Sequence, residues 1–101
     1  MRPPLKRPPT HPGAILREDV LPALQMSQGE LAARLGVSRR TVNEVLNEHR
    51  SITPDFALRI GRLLGHTAES YLRMQTAFDL WHCEQTGAAQ YAKVERLEWA
   101  A

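Results

Sequence analysis

Arg39, Arg40 and Asn43 are the residues of this chain best suited by type and spacing to reading a nucleic acid. A guanidinium pairs bidentately with guanine and a carboxamide with adenine. Laid out at helical period, Arg39, Arg40, Asn43, Glu44 and Asn47 share one face, and Val42, Val45 and Leu46 the opposite one. Thr41 lies at the edge, where it either touches DNA or simply packs. Ser38, one position ahead, is placed to cap this helix, whose free first amides suit a phosphate. Gln28 heads the preceding helix, where its amide could bridge to a phosphate or serve as a plain first-turn residue.

These residues need two short helices and a tight turn to position them. Ser27 and Glu30 have capping-box spacing before a first helix over about Gln28 to Leu35, with Leu31, Ala32 and Leu35 inward. Leu35-Gly36-Val37 supplies the turn, and the second helix spans about Arg39 to Leu46. Two capped helices around one glycine form a helix-turn-helix, whose second helix can enter a DNA major groove.

Other chemistries find little support. The four histidines (11, 49, 66 and 82) make no pair at metal-ligand spacing with another His or with Cys83, so no metal and no cofactor is expected. There is no phosphate-binding glycine loop and no nucleophile elbow, so no enzyme is expected. A single cysteine allows no intrachain disulfide, and no apolar run approaches the ~20 residues of a membrane span. A soluble cytoplasmic protein is expected. The net charge of +2 is unevenly spread: residues 1–50 hold 8 Lys/Arg against 5 Asp/Glu, and residues 51–101 hold 5 against 6. The basic excess thus lies in the half with the helix-turn-helix, which is compatible with a phosphate partner.

At 101 residues the chain reads as one all-α domain with three parts. Residues 1–10, with four prolines and three cations, form a flexible basic arm that either touches DNA or a partner or is a solvated tail. Residues 11–86 form a five-helix domain. Its first helix runs from about Pro12 to Leu21 and should stop at Pro22. Its fourth opens at Thr53-Pro54-Asp55 and ends at Gly65. Its fifth starts after Thr67 and reaches about Glu84. Residues 87–101 form a short tail whose period fits either a helix or a strand. Tyr71, Met74, Phe78 and Trp81 make an apolar stripe on the fifth helix, with Leu72 and Leu80 well away from it. A peripheral helix needs one buried face, so the surplus points to a homodimer interface, or to a tail folded back over it.

The arrangement resembles the λ-repressor-like Xre/Cro domains through Gln28, Leu31, Ala32, Leu35-Gly36-Val37-Ser38, Val42, Val45 and Asn47. A wider likeness is to the HigA-type antitoxins, the VapI-like antidote family. It is carried by His11-Pro12-Gly13 with Ile15-Leu16-Arg17-Glu18, by Ser51-Ile52-Thr53-Pro54-Asp55, by Ala57-Leu58-Arg59, and by Gln75-Thr76-Ala77-Phe78-Asp79-Leu80-Trp81. It covers about residues 10 to 84, and the flanking signatures are more specific than the helix-turn-helix itself.

That resemblance implies a cytoplasmic type II antitoxin that neutralises a small RelE-like mRNA-cleaving toxin (HigB-like) and represses its own operon as a dimer. It places DNA contacts on Gln28, Ser38, Arg39, Arg40, Thr41 and Asn43. The alternatives are a stand-alone, phage-type repressor and a module devoted mainly to partner binding. The turn after the recognition helix departs from the family: Asn47-Glu48-His49-Arg50 stands where Asn-Gly-Lys/Arg is usual. Asn47 is then expected to take the left-handed backbone that glycine would favour.

Overall fold

The computed structural model describes residues 7–99. It is all-helical, with five helical runs. The first, α1, begins as an α-helix over Pro12–Ile15, widens to a π-helix over Leu16–Val20, and returns to α-helix over Leu21–Leu24. It is followed by α2 (Gln28–Leu35), α3 (Arg39–Leu46), α4 (Pro54–Leu64) and α5 (Ala68–Tyr91). Of the Pro-rich arm, residues 1–6 lie outside the described residues, and residues 8–10 carry no regular structure.

Pro22 does not stop α1 as expected. Proline lacks the amide that would bond Glu18, and its ring would crowd that carbonyl in a regular α-helix. The π turn removes the conflict: Leu21 donates to the Leu16 carbonyl, five residues back, and the run continues to Leu24. Local sequence shows the proline but not this accommodation.

The helix starts follow their caps. Ser27, Ser38, Thr53 and Thr67 each accept from the amide three residues on. Of the reciprocal capping box only the serine half is standard; the Ser27 hydroxyl also lies 3.4 Å from the Glu30 carboxylate. The first four helices all end on a left-handed residue with a six-to-one bond behind it. Gly36 and Gly65 supply two of these residues, at φ of 72° and 74°; Gln25 and Glu48 supply the others, at 52° and 63°. After α3 it is therefore Glu48, not Asn47, that takes the left-handed conformation; Asn47 has φ −88°. His49 donates to the Glu44 carbonyl at 2.8 Å and Glu48 to Val45 at 3.0 Å, which fixes the turn one residue later than expected.

One core joins the helices: Leu16 and Leu21 from α1, Leu31, Ala32 and Leu35 from α2, Val42, Val45 and Leu46 from α3, Ile52 from the α3–α4 loop, Phe56, Ala57 and Ile60 from α4, and Ala68 and Tyr71 from α5. Only the beginning of α5 enters this core. The helix does not stop near Glu84 but runs 24 residues, through Gly87, to Tyr91, a length of about 36 Å. The radius of gyration, 16.7 Å, exceeds the about 13 Å of a compact chain of this size. Residues 95–99 carry no regular structure, and Val94, Leu97 and Trp99 are exposed, so the tail does not fold back over α5.

Candidate nucleic-acid interface

The interface is built around α3. Ser38 has extended backbone, and its hydroxyl accepts from the Thr41 amide at 3.0 Å and lies 2.9 Å from the Thr41 hydroxyl. This local cap starts the helix and satisfies the Thr41 amide, one of the first-turn amides that lack a partner within the helix. Val42 and Val45 are fully buried and Leu46 is 1% exposed. The opposite side, with Arg39, Arg40 and Asn43, is exposed. The arginine-bearing face is thus open and not packed on the protein's own body.

The six residues expected to meet DNA fall into two joined pairs and two projecting cations. The Asn43 side-chain amide donates to the Gln28 carboxamide oxygen at 3.1 Å, tying the head of α2 to the middle of α3. Ser38 and Thr41 form the cap pair, with Thr41 half-buried against the core. Arg39 is exposed, and the Arg40 side chain, 87% exposed, lies along the helix with Nε donating to Glu44 at 2.8 Å.

Glu44 shapes this face. Its carboxylate accepts from Arg40 and, at 3.4 Å, from Arg50 beyond the helix end. The hydrogen bond from Arg40 and the charge of Arg50 hold it below the usual carboxylate range. One acid therefore fixes two guanidinium groups of the surface. The Arg40–Glu44 spacing of four residues is readable in sequence; the Arg50 partnership depends on the path of the turn.

The other end of α3 is held by residues that local sequence reading leaves unassigned. Gly13 lies against its backbone: a Cβ there would overlap the Val45 carbonyl oxygen. Arg17 donates to the Leu46 carbonyl at 2.5 Å and to Glu48 at 3.3 Å. Its guanidinium pKa is raised first by the hydrogen bond to Glu18 and then by Glu48. Glu48, which would repel phosphates if free, is thereby paired. His11 is buried; its Nδ1 accepts from the Gly13 amide at 2.9 Å, and its ring stands edge-on to Phe78 at 4.8 Å. Burial lowers its pKa from 6.5, against smaller raising effects of Glu48 and Asp79. Gln75, also buried, accepts from the Ile52 amide at 2.8 Å.

The stripe expected to pair two copies is partly consumed within the chain. Tyr71 is 5% exposed, and its hydroxyl lies 2.6 Å from His66 Nδ1, so it belongs to the chain's own core and offers almost no surface to a partner. Phe78 lies between His11 and His82, and Trp81 meets His82 edge-on. Met74 is half-buried. Periodicity identifies the stripe as apolar but cannot tell an internal neighbour from an external one. The open apolar surface of α5 is instead at Leu80, 45% exposed, and at Tyr91, 51% exposed.

Among the described residues no group of three His, Cys, Asp or Glu is placed to hold a metal ion, and no helix is long and apolar enough to cross a membrane.

With this geometry in place, the likenesses to known proteins are specific. The helix-turn-helix family HTH_3 matches residues 16–72, more than half of the chain. Virulence-associated protein I of Dichelobacter nodosus is 49% identical over 78 residues, which cover 77% of this chain and 72% of that protein. Among solved structures, antitoxin GraA in complex with its operator is 39% identical, with a TM-score of 0.85 over 98% of this chain and 99% of that one. The Pseudomonas aeruginosa antitoxin HigA with the higBA promoter is 34% identical, with a TM-score of 0.82 over 89% and 99%. The chain therefore belongs to the HigA-type antitoxins, a helix-turn-helix family of DNA-binding regulators and not of enzymes.

Proposed function

We propose that this protein is the antitoxin of a type II toxin–antitoxin pair in the cytoplasm. As a dimer it binds the operator of its own operon through α3, and it neutralises a small RelE-like mRNA-cleaving toxin. The observation that carries the DNA-binding part is the open outer face of α3, with Arg39, Arg40 and Asn43 exposed over buried Val42 and Val45. Gln28, Ser38 and Thr41 complete the contact surface: Gln28 holds Asn43, and Ser38 caps the Thr41 amide at the start of the helix. The operator complex of GraA and the promoter-bound HigA support the same use of the same fold. Leu80 and the exposed tail support association of two copies, and Met74 and Trp81 lie on the same helix.

The test is an equilibrium titration of a duplex carrying the protein's own promoter. Wild-type affinity should fall linearly in log salt, and the two half-sites should lie about one helical turn, or a small multiple, apart. Arg40→Ala should lose roughly 1–3 kcal/mol of operator affinity while retaining the fold and any toxin complex. Wild-type affinity in that variant would remove α3 from the interface. Co-purification with the product of the neighbouring gene tests the toxin half; a lone gene with a functional operator would instead identify a stand-alone repressor.

A further inference from the structure

The two signatures that flank the helix-turn-helix, His11-Pro12-Gly13 and the run from Gln75 to Trp81, take no part in the DNA contacts proposed above. The fold brings them to one place, the inner side of the segment that leaves α3. Three positions of that segment are anchored by side chains from α1 and α5. The Leu46 carbonyl and the Glu48 carboxylate are held by Arg17. His11 lies close to the same segment, with the Arg50 backbone and Glu48 among the groups that act on its ring. The Ile52 amide is held by Gln75, whose own amide donates to Asp79 at 3.0 Å. Between these anchors, Asn47 and His49 are exposed, as is the Arg50 side chain.

Gln75 is the informative member. It is 4% exposed, and a leucine of similar size would leave the buried Ile52 amide without its partner. What the carboxamide adds is a bond to a backbone amide 23 residues away and a second, one turn on, to Asp79. The first bond sits where the chain turns from recognition helix to α4. A buried polar group with a single long-range partner specifies geometry more than it adds stability. We propose that Gln75, oriented by Asp79, is a positioning residue for DNA binding: it sets the α3–α4 segment so that Asn47, His49 and Arg50 meet the phosphate backbone when α3 is in the groove. The proposal rests on the reading of α3 as the recognition helix. In the homeodomain variant of the motif, the C-terminal end of the recognition helix contacts the DNA backbone.

The experiment uses Gln75→Leu and the double variant Q75E/D79N, titrated with the own-promoter duplex at several salt concentrations and at a temperature where circular dichroism shows each fully folded. Gln75→Leu leaves the Ile52 amide unpaired. Its operator Kd should rise about tenfold, and its log–log salt slope should become shallower by about one, the signature of one lost phosphate contact. The double variant reverses the polarity of the pair at unchanged net charge. The carboxylate it introduces at position 75 would accept from the Ile52 amide and from the carboxamide it introduces at position 79. It should restore both affinity and slope. A merely structural role would lower the melting temperature yet leave the slope of the folded protein unchanged. Wild-type Kd and slope in folded Gln75→Leu, or failure of the folded double variant to recover, would overturn the proposal. An Arg40→Ala variant that still binds normally would overturn the recognition-helix reading itself, whatever Gln75 does.

Discussion

The two ends of the recognition helix are held in opposite ways. The N-terminal end is set by neighbours in the chain: the Ser38 hydroxyl caps the Thr41 amide three residues on, and Arg40 pairs with Glu44 four residues on. The C-terminal end is set from a distance. Arg17 reaches across 29 residues to Leu46, Gly13 lets α1 touch the Val45 carbonyl, and Gln75 reaches back to Ile52. The difference teaches a division of labour. The exposed end is organised by residues close in the chain, while the far end is fixed by contacts between distant segments.

Substitutions can break or sharpen this contrast. The largest effect should come from Gly13→Ala, because the added Cβ would overlap the Val45 carbonyl and force α1 off α3; a loss of about 3 kcal/mol in chemical denaturation is expected. Arg17→Met should lower the denaturation midpoint by less, since the Leu46 carbonyl and Glu48 lose a donor that is itself 35% exposed. Ser38→Ala removes a cap at the open end and should cost about 1 kcal/mol, with a matching loss of operator binding if the cap also orients the first amides. If Arg17→Met proved as mild as a surface change, the C-terminal end would not be clamped as described.

Acidification should act at the clamped end and less strongly. His11 caps the Gly13 amide through an unprotonated Nδ1, and burial lowers its pKa in the folded state. The unfolded chain therefore binds the proton more readily. The stability due to His11 is complete above about pH 6.5 and is lost as pH falls from there through the folded-state value. Denaturation midpoints measured from about pH 8 down to pH 5 should decline accordingly. His11→Asn, which keeps a capping side chain without titrating, should flatten that decline. The smallest effect should be a gain: Gln25 holds a left-handed φ of 52° with an exposed side chain, so Gln25→Gly should add a few tenths of a kcal/mol in thermal unfolding.

The readable parts of this molecule share a physical basis. Helix starts at Ser27, Ser38, Thr53 and Thr67, the glycine stops at Gly36 and Gly65, and the split faces of α3 all rest on interactions within one or two turns of chain. Such interactions have the same form in any context, so residue type and spacing suffice to infer them. The exposed arginines of the outer face were legible for the same reason.

Tertiary structure decided what depends on which surfaces meet. Pro22 is carried through by a π turn, Glu48 and not Asn47 turns left-handed with its carboxylate on Arg17, and Tyr71 lies in the core while Leu80 stays open. The roles of His11, Gly13 and Gln75 also belong here: each is defined by a group supplied by a distant segment, the Phe78 ring, the Val45 carbonyl and the Ile52 amide. The sequence determined by itself that this chain would make capped helices with an arginine-bearing face. Only the packing of those helices determined how that face is aimed, because a contact between residues far apart in the chain leaves no periodic trace in it.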